Sequence, residues 1–156
     1  MAQDETAEDH ALLKQIRRRR SELRDSMGAL ELALAGPAPA GHTAHWVERV
    51  HAALVELAGD LRQHVAVTEG PKGLYQDLLR TAPRLTGPVN SLTEDHAVIK
   101  EHLEGLLALV DGAGGTEDVE QVRALGTSLL GRIVRHRQRG ADLVYEAYEV
   151  DVGGDE

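Results

Sequence analysis

Apolar positions recur along this chain in steps of three and four, interrupted at three places. The first run is Leu13, Ile16, Arg20, Leu23, Met27, Leu30 and Leu34, the stripe of a helix with one buried face. Val47, Val50, Leu54, Leu57 and Leu61 keep the same step in the second, and His64 is the next position on that face. The third runs Leu85, Val89, Leu92, His96, Ile99, Leu103, Leu106 and Val110; the fourth runs Val119, Val122, Gly126, Leu129, Ile133 and His136. Between them stand "AGPAPAGHT" (35–43), "EGPKG" (69–73) and "DGAGGTED" (111–118), all rich in helix-breaking residues. Sustained alternation of period two is missing and the chain has no Phe, so the reading is all-α, with four long helices. Thr43 and Thr116 are expected to cap the second and fourth helices, with Glu117 and Asp118 on the favourable side of the helix dipole. Pro71 ends or kinks the second helix, residues 73–80 are expected to form a short connecting helix, and Pro83 or Pro88 either falls in the first turn of the third long one or bends it.

Short links favour antiparallel neighbours, hence an up-down-up-down four-helix bundle. The opening stretch "EDHALLKQI" at Glu8 returns as "EDHAVIKEH" at Glu94, so the chain reads as two helical-hairpin repeats. His10 and His96 lie near helix starts and His64 and His136 near helix ends, which in such a bundle brings all four to one end. A lone histidine on an apolar face is ordinarily a hydrogen-bonded core residue. Four on four stripes are costly to bury unpartnered, whereas a metal ion would satisfy them together. His42, His45, His51 and His102 fall off these stripes and read as surface or loop residues.

Composition narrows the picture. With 156 residues, 42% hydrophobic and 28% charged, the chain suits one domain over 1–156, its packed part spanning about 8–148 between acidic N- and C-terminal tails. The absence of cysteine excludes disulfides and thiolate ligands, and no stretch is apolar enough for a signal peptide or membrane span, so a cytoplasmic location is expected. A net charge of −9 argues against nucleic acid as partner; the run Arg17 to Arg20 reads as a solvated helix face. There is no catalytic serine or cysteine motif and no phosphate-binding glycine loop.

The stretches "EDH" at His10 and His96, "RQHVAVTEGPKGLY" around His64 and "RHRQRGADLVYEAY" around His136 resemble the hemerythrin-like, or HHE cation-binding, proteins, over about Glu8 to Tyr148. The resemblance implies a four-helix bundle holding non-haem iron, two ions in most members, with His10, His64, His96 and His136 as ligands. Family members carry Glu four residues after the histidine of the second and fourth helices; here Thr68 and Gly140 stand there. Glu69, five after His64, and Asp142, six after His136, are the acids nearest to hand, Glu69 through a π-bulge beside Gly70 and Pro71. The expected metal set is therefore His10, His64, Glu69, His96, His136 and Asp142, holding one or two iron ions, with zinc and manganese as alternatives. Tyr75, Tyr145 and Tyr148 close the end of the bundle, and a phenolate could replace an absent carboxylate. Arg17, Arg20, Arg132 and Arg139 either snorkel from helix edges or hold an anion beside the metal. The resemblance implies a protein that binds, senses or reacts with O₂ or another small oxidant. A metalloenzyme acting on a small organic substrate and a metal-free interaction bundle are the competing readings, and the oligomeric state stays open.

Overall fold

The structure is a computed structural model that describes residues 2–112 and 117–150. Four long helices, α1 (Ala2–Ala35), α2 (Ala44–Glu69), α4 (Thr86–Gly112) and α5 (Glu117–Tyr145), are joined by a short α3 (Leu74–Thr81) and a 3₁₀ turn (Pro83–Leu85). A π-helical turn, Glu146–Val150, follows α5. No strand occurs among the described residues, and none of their helices is long and apolar enough to cross a membrane.

Helix α1 packs on α2, α2 on α4, α4 on α5 and α5 back on α1, closing a four-helix bundle. Specific pairs fix directions. His51 of α2 meets Asp111 of α4 at 3.0 Å, while Glu69, at the other end of α2, meets His96 at 3.1 Å, so the two helices run oppositely. Arg123, early in α5, donates to the carbonyls of Leu34 and Gly36 at 3.0 and 2.9 Å and lies 5.4 Å from the Trp46 ring, which ties α5 to the carbonyl end of α1. Gly126 of α5 lies against the buried Leu34, close enough that a Cβ there would meet its methyl groups.

The stripes of α2, α4 and α5 are buried as the spacing predicts, Val47 half so. That of α1 is buried only from Leu23 onward; Ile16 is half-buried and Leu13 is 47% exposed. The reason is length: α1 begins far before the point where α2 ends, so its first turns have no long helix opposite. Thr43 stands at the start of α2, but its side chain caps nothing; its carbonyl accepts from Val47 N–H at 2.9 Å. Thr116, the other expected cap, lies outside the described residues. Pro83 opens the 3₁₀ turn and Pro88 sits in the first turn of α4.

Apolar residues form two clusters. The larger fills the bundle from Leu23, Leu61, Ile99 and Ile133 towards the loops; the smaller joins α3, the start of α4 and the end of α5 through Tyr75, Leu78, Leu92 and Leu143. His96 falls between Leu92 and Ile99, and His136 between Ile133 and Leu143, so the histidines occupy the polar seam between two hydrophobic layers.

Candidate metal centre

Three imidazoles converge in that seam. His136 Nε2 is 3.2 Å from His64 Nε2 and 3.0 Å from His96 Nε2, and one nitrogen of each ring lies within 4.8 Å of the other two. The rings meet edge to face, with centroids 4.6 to 5.4 Å apart. His96 and His136 are buried, 4% and 2% exposed, and His64 is partly so. Nitrogens about 2.0–2.1 Å from one ion in a tetrahedral shell stand about 3.3 Å apart, close to this spacing.

The far nitrogens of two rings are held by carboxylates. Glu69 faces His96 Nδ1 at 3.1 Å, and Asp95 faces His136 Nδ1 at 3.1 Å while also accepting from Arg139. This is the arrangement by which metal-binding histidines are oriented: a carboxylate accepts a hydrogen bond from Nδ1–H, which keeps the proton there and leaves the Nε2 lone pair for an ion. Tyr75, stacked 13° from parallel on His96, brings its hydroxyl to 3.3 Å from His96 Nε2, into the same space.

Burial, and then the neighbouring imidazoles, lower His64 to about 3 and His96 to about 4 from an ordinary 6.5. His136 is lowered too, by burial against the opposing pull of Asp95. All three rings are thus neutral near pH 7, the form that donates a lone pair. Burial raises Glu69, and it raises Tyr75, whose phenol stays protonated in the metal-free protein. Asp95 is also desolvated, but Arg139 and His136 outweigh that and hold it below its usual value.

The structure brings together His64, His96, His136 and Glu69 from the expected set; His10 and Asp142 lie elsewhere. The register of α1 explains His10. Ser26 donates to Asp60, so His64, four residues further along the opposite-running α2, is level with Glu22. His10 is twelve residues before that, about 18 Å along the axis at 1.5 Å per residue, and it is exposed. Asp142 lies two thirds of a turn around from His136 on a regular helix, where it is exposed and accepts from Gln138 at 2.9 Å. The π-bulge expected near Glu69 is absent, since α2 stays α-helical to that residue and Glu69 reaches His96 rather than the ion space of His64. At the family's carboxylate positions, the Thr68 hydroxyl donates to His64 O at 2.8 Å, and a Cβ built on Gly140 would meet nothing within 4 Å.

Spacing does not single out Asp95, although "EDH" places it beside His96. Adjacent helical residues point about 100° apart, so Asp95 serves the next helix, not its own neighbour. Of the other tyrosines, Tyr145 is 63% exposed and Tyr148 donates to Asp77.

The sequence model of the hemerythrin HHE cation binding domain matches residues 13–146 of this chain. No curated protein and no solved structure matches it.

Proposed function

Because this chain belongs to the hemerythrin HHE cation-binding domain family, we propose that it holds one non-haem metal ion, iron first among them, on His64, His96 and His136, for reaction with O₂ or a related small oxidant. The observation that carries this reading is the convergence of three Nε2 atoms whose rings are oriented by Glu69 and Asp95.

Cation binding is the family's property; the single ion is our reading of this chain. Two-ion sites need carboxylates to bridge, and here both nearby acids face ring nitrogens. Three imidazoles suit iron or zinc better than manganese, which prefers oxygen donors. Tyr75 is the natural fourth donor, since its hydroxyl already faces the same nitrogens and no carboxylate does. An ion so held supplies Lewis acidity and, if it is iron, one-electron chemistry towards a small oxidant. The chain's own part is to keep three lone pairs unprotonated, to wall the ion between two apolar layers, and to fix the rings from behind.

Elemental analysis of untagged protein, with visible spectra in air and after reduction, tests this. One iron per chain with a redox-dependent spectrum supports the reading. Two irons would refute the single-ion site, and no metal after reconstitution would refute the function.

A further inference from the structure

The arginine run at the start of α1 divides between two faces. Arg18 and Arg19 share Glu22 at 3.1 and 2.9 Å, but Arg17, Arg20 and Arg24, spaced three and four apart on one face, turn towards α5. There they meet Arg137, and with Ser21 the four guanidinium side chains line a recess of about 250 Å³. None of the four forms an ion pair among the described residues. Arg137 Nε is buried without a hydrogen-bond partner, and after burial itself the charges acting on Arg137 are those of Arg20 and Arg24. In a chain of net charge −9, four positive charges gathered without a carboxylate among them are uncompensated locally.

We infer that the recess between α1 and α5 lined by Arg17, Arg20, Arg24 and Arg137 binds a phosphate group, free or as the end of a small phosphate monoester. Guanidinium forks from two helices match a tetrahedral anion carrying up to two charges and at least three acceptor oxygens better than a planar carboxylate with two. The Ser21 hydroxyl adds a further donor at the wall. The recess adjoins the histidine seam on the side where α1 contributes no imidazole: Arg20 and Arg24 flank Glu22, the residue level with His64, and Arg137 follows His136. Both Arg20 and Arg137 act electrostatically on His64, so an anion held here lies within reach of the metal centre. The site is built from side chains other than the metal ligands and does not depend on the metal.

The test uses the full chain, as purified and after chelation, with thermal denaturation and calorimetric titration by sodium phosphate against sodium chloride at matched ionic strength. Saturable stabilisation by phosphate in both preparations is expected. It should weaken about tenfold in Arg20→Gln and in Arg137→Gln and stay unchanged in Arg18→Gln, whose guanidinium faces Glu22. Arg24→Gln, at an exposed position, gives the same reading should Arg137→Gln fail to fold. Glycerol phosphate separates the two sources, since competition with phosphate indicates a monoester site and its failure a site for the free ion. Equal stabilisation by chloride, undiminished binding in Arg20→Gln and Arg24→Gln, or an effect that appears only with metal bound would overturn the inference.

Discussion

Asp95 of α4 and His136 of α5 are joined across the bundle at 3.1 Å, through the imidazole nitrogen that faces away from the other two rings. That contact fixes which nitrogen of His136 carries a proton, and so which one is free for an ion. Asp95→Asn should therefore weaken metal binding by about 10- to 100-fold while leaving the helical spectrum intact. Competition with a chromophoric chelator measures it; affinity equal to the parent protein would show that Asp95 orients nothing.

Tyr75 gives a spectroscopic prediction. In the ferric protein a phenolate ligand produces an intense visible charge-transfer band, and Tyr75→Phe should abolish that band while iron stays bound on the three histidines. An unchanged spectrum in the variant would remove Tyr75 from the coordination shell.

Acid should loosen the metal-free fold before its carboxylates titrate. His64 and His96 are lowered to about 3 and about 4 from 6.5, so between pH 6.5 and 4 the unfolded chain binds protons that the folded chain refuses. Stability is accordingly full above pH 6.5 and falls as pH drops through this window, by up to about 1.4 kcal/mol per pH unit for each such histidine. Urea midpoints at pH 6.5, 5.5 and 4.5 track the loss, and His64→Leu should flatten the slope. A midpoint independent of pH would mean that these rings are hydrated in solution.

Much of this is legible from spacing alone, because helix burial follows a strict period: the stripes of α2, α4 and α5 that face the core are those the sequence marks, and they carry His64, His96 and His136 inward. What spacing lacks is register between helices. The repeat of "EDH" makes His10 and His96 look equivalent, yet the Ser26–Asp60 contact slides α1 along α2 and leaves His10 beyond the site. Asp142 is close to His136 along the chain, but direction around the helix decides, and it turns Asp142 away. Asp95 escapes a reading of spacing because its partner is on another helix, and no pattern within one segment announces that.

The space left at Gly140 and the small side chain at Thr68 predict a gain of function. Introducing Thr68→Glu and Gly140→Glu together, at the positions where the family resemblance implies acids, should raise bound iron from the proposed one towards two per chain. Inductively coupled plasma analysis reads it, and a stoichiometry that stays at one in a folded variant would show that more than two carboxylates separates this site from a two-ion centre.

Arg123 supports a stability prediction away from the centre. Its guanidinium donates to two carbonyls at the end of α1 and covers Trp46. Arg123→Ala should cost about 2 kcal/mol, the scale of charged hydrogen bonds to a helix end, without altering metal content. Denaturant unfolding of parent and variant decides it.

In the proposed site three histidines, from α2, α4 and α5, hold the ion and α1 contributes none. Metal content of His136→Ala and His10→Ala, prepared side by side with the parent protein, tests this assignment. His136→Ala should lose nearly all bound metal and His10→Ala should keep the parent's full amount. Loss of metal in His10→Ala, or its retention in His136→Ala, would overturn this ligand set.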